Sequence, residues 1–330
     1  MKEMMIDENE KKKDEKFLTD LCECYLFLHY KCVPDELLSI CVPCLLKAAL
    51  KKEECEEAQK EKEIALLALS HIDRYYFFRQ ELFLNEIKEI IQHHQEHRNL
   101  TQLAYQSAWT FLMNRLYYAN NLESLIVNEL HFGREAAREL DELAKSVSRK
   151  IKEEDEIEKE GKEVFIIREW FCTINYFLSS CKLWNAEFVK LIGSIVRVFL
   201  FSKDNHRRIS IQCVYLVSDL AKNRNIGIEA LMDEGAIDLF SEEMNQSTLK
   251  VDTIGKCLFF FMNASERLKE KTDGEAEEAK RKTTKRKVFE KLEKEGFEDI
   301  ITSLYGEISL INENVIDTLS INVYDYFVNI

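Results

Sequence analysis

Glycine and proline are scarce in this chain: nine glycines and two prolines stand among 330 residues. Usual frequencies would give about 23 and about 16. The turn-makers that β architectures depend on are therefore missing, and so are glycine-rich phosphate cradles. No Gly-x-x-x-x-Gly-Lys, Gly-x-Ser-x-Gly or paired dinucleotide glycines occur. Residues 1–16 form a run of Lys, Glu and Asp with no apolar leader, and no apolar stretch approaches 18 residues, so neither secretion nor a membrane span is expected. Positive charge is also in deficit: 60 acidic against 46 basic residues give a net charge of −14. That balance repels a phosphate backbone and argues against a nucleic-acid partner.

What fills the sequence is helix-forming residues, with 46% hydrophobic and 32% charged. This supplies a long core and a solvated face together, and no period-2 stretch is bounded by turn signals as a strand would be. The class is all-α. Ten cysteines without an evident leader are expected to lie in a reducing compartment, the cytoplasm, and to act there as small buried hydrophobes.

The apolar positions repeat. Leu37, Val42, Leu45 and Leu46 map onto Leu82, Ile87, Ile90 and Ile91 at an offset of 45, and Ala65, Leu66 and Leu69 onto Ala108, Trp109 and Leu112 at 43. Further on, Ile192, Ile195 and Phe199 map onto Ile237, Phe240 and Met244 at 45, and Cys213, Leu216 and Val217 onto Cys257, Phe260 and Phe261 at 44. Two helix types alternate, at the roughly 40- to 47-residue period of armadillo and HEAT units. Two longer offsets coincide with charge-dense segments: 13 of 19 residues in 145–163 are charged and 14 of 21 in 267–287. Such segments cannot bury an apolar face and are expected to be solvated helix extensions or mobile loops inserted between repeat helices. The long inner helices are expected at 57–72, 101–118, 164–180, 206–222, 250–268 and 312–328.

Asp-Glu-Gly-Ala-Ile-Asp-Leu-Phe at 233–240, followed by Cys-Leu-Phe-Phe-Phe-Met-Asn-Ala-Ser at 257–265, resembles the Gly-Ala-Ile turn and Ala-Leu-x-Asn-Leu-Ser helix of the armadillo family. Lys-Glu-Gly-Phe-Glu-Asp-Ile-Ile at 294–301 is a weaker echo. The resemblance covers the last third specifically and implies an α-solenoid of about six armadillo/HEAT-like helical repeats, a single domain over 17–330 behind a charged tail at 1–16. In the family the glycine breaks the turn between short and long helices, a role that Gly235 and Gly296 fit because glycine adopts positive φ at little cost.

Candidate chemistry is sparse. Cys41-Val-Pro-Cys44 has redox spacing, but its neighbours Leu37, Leu38, Leu45 and Leu46 read as one helix, not as the helix N-terminus after a strand that redox chemistry needs. His93 and His97 lie one helical turn apart beside His94, but a third ligand and the glutamate of His-Glu-x-x-His are lacking, so a polar helix end before Arg98-Asn99 is the better reading. Neither a metal nor a cofactor is expected, nor an enzyme of known design. The basic run Lys280–Lys287, with Thr283 and Thr284 inside it, has the composition of a nuclear-import signal or a phosphorylation target. Glu277 with Arg281 and Glu278 with Lys282, each at i,i+4, make it read as a solvated helix face.

Stacked repeat helices are expected to form a superhelix whose inner helices line a long concave face suited to an extended peptide or a partner's helix. On the inner helices Tyr105, Trp109, Trp170, Asn175, Tyr215, Phe259 and Asn263 are the candidate partner-binding residues, because aromatics and amides commonly anchor partners. Importin-alpha and its relatives present Trp-x-x-x-Asn on such helices. Phe259 and Asn263 match that spacing with Phe for Trp, while Trp109 to Asn114 and Trp170 to Asn175 are one residue too long. The expectation is a protein-binding scaffold or adaptor for a protein or extended peptide, a basic one being favoured by the charge. The alternatives are a regulatory solenoid associated with a catalytic partner such as a kinase, and an enzyme with an unrecognised site.

Overall fold

The computed structural model describes residues 35–50, 56–75, 84–116, 122–153, 161–223 and 226–244, and single positions 253, 256, 257, 260, 263, 286 and 290. The described elements are helices, and no strand occurs among them. The chain divides into two compact units, residues 1–130 with 168–183 and residues 131–167 with 184–330. The expected repeat domain over 17–330 is thus shared between two units. The tail at 1–16, Gly296 and the helix expected at 312–328 lie outside the described residues.

In the first unit, α1 (Asp35–Ala49) packs on α2 (Glu56–Tyr75), which packs on α4 (Gln102–Leu116), with α3 (Leu84–His97) beside α4. The sequence repeat appears as burial: Val42, Leu45 and Leu46 of α1 and Ile87, Ile90 and Ile91 of α3 are all core. Cys41 and Cys44 sit inside α1, which carries Pro43 in its interior, so this pair lacks the helix N-terminus that lowers a thiol's pKa. α3 stops where expected. Arg98 takes the left-handed conformation at φ 53°, its N–H donates to the His94 carbonyl at 2.8 Å, and Thr101 caps α4 by accepting from the Ala104 N–H at 3.3 Å. The last part of α6 (Lys162–Ser180), from residue 168 on, belongs to this unit.

In the second unit, α5 (Phe132–Glu153) packs on α7 (Glu187–Asn205), and α7 on α8 (Arg207–Ala221). The short α9 (Ile228–Asp233) and α10 (Ala236–Met244) also pack against α7. α5 buries Phe132, Ala136, Leu140, Leu143 and Val147 on one face, and with them the carboxylates of Glu135 and Glu139, which pair with Arg138. A bidentate pair from Arg197 to Asp141, at 2.8 and 2.9 Å, ties α7 to α5. α5 runs helically to Glu153, so the first half of the charged segment 145–163 is a helix extension with Lys145 and Arg149 in solvent. Gly235 has φ +80° between α9 and α10, as the turn reading requires, and a Cβ there would lie 3.3 Å from the Val196 Cγ1.

The inner helices expected at 57–72, 101–118, 164–180 and 206–222 are found at Glu56–Tyr75, Gln102–Leu116, Lys162–Ser180 and Arg207–Ala221. For the one expected at 250–268, Thr253, Lys256, Cys257, Phe260 and Asn263 are described, and all are helical.

Candidate functional site

The aromatic candidates of the first unit are core, which corrects their assignment to a partner surface. Tyr105, Trp109 and Trp170 each have no exposed surface. Their rings meet each other, Tyr105 lying edge-on to Trp109 at 6.1 Å and to Trp170 at 6.2 Å between centroids. Below them a buried polar knot joins α4 to α6: the Gln106 amide donates to Thr110 Oγ1 at 2.7 Å and Thr173 Oγ1 at 2.9 Å, and the two threonine hydroxyls are 2.7 Å apart. The Thr173 hydroxyl donates to the Glu169 backbone carbonyl at 3.0 Å, so the Thr110 hydroxyl donates to Thr173 and the chain of bonds closes. The physical reason for the burial lies in α4, where every residue from 104 to 113 is buried. A helix surrounded on all sides spends its aromatics on neighbours. Asn175, on the outer side of α6, is exposed.

The histidine cluster is a helix end. His93 and His97 are exposed with ring centroids 4.5 Å apart, and among the described residues no group of three or more His, Cys, Asp or Glu side chains could hold a metal. His94 instead turns inward. Its Nδ1 accepts the Leu100 N–H at 2.9 Å and its ring lies 4.1 Å from that of Tyr105. Burial pushes its pKa down to about 4, helped by the Arg98 and His93 charges and opposed by a hydrogen bond to the Asn99 side chain. The ring is therefore neutral near pH 7, as the bond it accepts demands.

The cysteines behave as buried hydrophobes where they are enclosed. Cys181, Cys213 and Cys257 are unpaired thiols in the core. Burial pushes Cys181 up to about 12 and the other two well above the ordinary thiol range, which removes them from nucleophilic chemistry. Cys44 and Cys172 are half-buried and in no disulfide.

In the second unit Tyr215 and Asn263 are half-buried. α8 turns Ile209, Cys213, Leu216, Val217 and Leu220 into the core and leaves Arg208, Gln212, Tyr215 and Asp219, spaced at i, i+4, i+7 and i+11, on its open side. Its first turn is anchored by Arg207, whose guanidinium makes a two-pronged bond to the fully buried Glu243 of α10 and a 3.2 Å bond to Ser210 Oγ. The hydrogen bond to Glu243 raises the arginine's pKa further. On the next repeat helix, Cys257 and Phe260 are core while Lys256 and Asn263, two turns apart on one side, are half-buried. The Lys256 ammonium lies 5.1 Å from the centroid of the Tyr215 ring and donates to Asp219 Oδ1 at 3.1 Å. Lys222 donates to the same carboxylate oxygen. Phe259 lies outside the described residues, and of the basic run 280–287 only Arg286 is described, helical and paired with Glu290 at 2.8 Å.

No family model and no curated protein matches the chain. Solved structures do. A structure of computationally designed armadillo repeat proteins for modular peptide recognition superposes with a TM-score of 0.52 at 15% identity, covering 87% of this chain and 99% of that one. The chain has an armadillo-like repeat fold. Two further designed armadillo repeat proteins are similar at TM-scores of 0.48 and 0.49, with 17% and 16% identity. Each comparison covers 87% of this chain and 99% of the other, and the former protein was solved in complex with the peptide (KR)4.

In armadillo-like terms, Gln212, Tyr215 and Asp219 of one repeat correspond at the 44-residue offset to Lys256, Phe259 and Asn263 of the next. Lys256 and Asp219 are absent from the sequence-based candidates, which favoured aromatics and amides. The offset that aligns Cys213 with Cys257 already placed Lys256 on the same outward row as Gln212, and that signal was sufficient to find it.

Proposed function

We propose that this chain is a protein-binding scaffold or adaptor that holds an extended peptide segment along the outward row of α8 and the following repeat helix, and that it is not an enzyme. The observation that carries this reading is the pairing of that row with its repeat equivalent: Tyr215 and Asp219 on one helix, Lys256 and Asn263 on the next, all partly open to solvent while their neighbours form the core. An aromatic ring, an amide and charges of both signs are what recognition of a backbone and its side chains requires. The superposed design described as made for modular peptide recognition supports the same use of the fold. No described helix is long and apolar enough to cross a membrane, and a cytoplasmic location is part of this proposal.

Peptide display on the full chain followed by affinity measurement tests it. Selected peptides should lose about tenfold or more in affinity to the Tyr215→Ala/Asn263→Ala variant while its circular dichroism is unchanged. Retention of full affinity by that variant, or failure to enrich any peptide, would overturn the proposal.

A further inference from the structure

An aromatic face and a carboxylate one helical turn apart make a seat for a cation, since the ring's quadrupole and the negative charge attract the same ammonium. Tyr215 and Asp219 stand at i and i+4 on α8 and meet that description. The seat is filled from within the chain. Lys256 brings one ammonium to 5.1 Å from the ring centroid and 3.1 Å from Asp219 Oδ1, inside the roughly 6 Å reach of a cation–π contact and within hydrogen-bond distance of the acid. Its backbone is tied to α8 independently of the ammonium, the Lys256 carbonyl accepting from Ser218 Oγ at 3.5 Å.

We propose that the Tyr215 ring and the Asp219 carboxylate form a binding seat for a lysine or arginine side chain of a partner peptide, and that Lys256 is a resident occupant which the partner's cation must displace. This rests on the reading of the α8 row as the peptide-binding face. The geometry makes displacement feasible. Lys256 is 28% and Asp219 29% exposed, so solvent reaches the pair, and a four-carbon stem can swing its ammonium into water without moving the helix. Lys222, one turn beyond Asp219 and 46% exposed, pairs with the same carboxylate oxygen. The net charge of −14 raises the local concentration of a basic peptide, while the resident lysine penalises any single cation that arrives there. A partner then succeeds only if other anchors accompany its cation. Lys256 is thus a selectivity element for multivalent basic segments.

The test is fluorescence anisotropy of a labelled octapeptide of alternating Lys and Arg on the full chain. Lys256→Met keeps the apolar stem and removes the competing charge, and should tighten binding roughly three- to tenfold, the scale of one exposed ion pair with one cation–π contact. Lys256→Arg restores a resident cation and should match the parent. Adding Asp219→Asn to Lys256→Met should cancel the gain. Binding by Lys256→Met that equals or falls below the parent overturns the proposal, as does absence of binding to every form. A labelled octapeptide of alternating Glu and Asp that binds, and weakens with Lys256→Met, would also overturn it by making Lys256 a ligand for anions. Should Tyr215→Ala/Asn263→Ala abolish binding while Lys256→Met matches the parent, the resident occupant is refuted and the binding face stands. Should both variants bind like the parent, the face itself is refuted.

Discussion

Acidification should unfold this protein through His94. The ring is 4% exposed, packs on Tyr105, and accepts the Leu100 N–H at 2.9 Å through Nδ1, so a proton added to that nitrogen breaks the bond that ends α3 and places a charge in the core beside Arg98 and His93. The folded state holds the pKa at about 4 against the ordinary 6.5. Because the folded value is the lower one, the unfolded chain takes up the proton first. The stability present above pH 6.5 is therefore lost as the pH falls from there and is largely gone by pH 4. At about 1.36 kcal/mol per pH unit, the loss attributable to this one ring reaches about 3 kcal/mol at pH 4. Urea unfolding at pH 7.5, 6, 5 and 4 measures it, with His94→Gln as the comparison that separates this ring from the carboxylates. The variant should be weaker at neutral pH, and its stability should fall by about 3 kcal/mol less than the parent's across that range. Parallel curves for the two proteins, or an NMR titration of the His94 ring with a midpoint near 6.5, would refute the reasoning.

Trp109→Ala and Trp170→Ala should each cost about 3 to 5 kcal/mol in chemical denaturation because both rings are fully buried, whereas Asn175→Ala on the exposed side of α6 should stay within about 0.5 kcal/mol. Similar small effects for all three would return the tryptophans to the surface. Arg207→Ala strands the wholly buried Glu243 carboxylate and should cost about 3 kcal/mol at pH 7; a neutral result would mean that the carboxylate finds water or another partner. Gly235→Ala forces a Cβ into the left-handed region and against Val196, and should lower stability by about 1 to 2 kcal/mol in thermal unfolding.

The repeat was legible because it is written in spacing. The offset of 45 between Leu45 and Ile90 and of 44 between Cys213 and Cys257 places equivalent side chains in equivalent core positions, and burial follows the pattern at each. Gly235 was legible because one turn needs one positive φ. The surface was less so. Tyr105 and Trp109 sit on a helix with a single charged residue, Arg115, among the fifteen of Gln102–Leu116. A helix without a charged stripe is enclosed on every side, so that composition already signalled a core location for the aromatics. Trp170 was harder to place, since its helix carries charges on one side and the ring points to the other. The seat at Tyr215 was hidden because it joins residues 41 positions apart, Tyr215 and Lys256, and only the packing of successive repeats brings a lysine over that ring.

Whether the α8 row is where a partner lies can be read by photo-crosslinking. p-Benzoylphenylalanine placed at 215 and, in a separate protein, at the exposed position 149 on α5 samples two outward surfaces of the second unit. With a peptide selected on the unmodified chain, irradiation should give a covalent adduct from position 215 and none from 149, and an excess of unlabelled peptide should suppress it. An adduct from 149 with none from 215 would contradict the account.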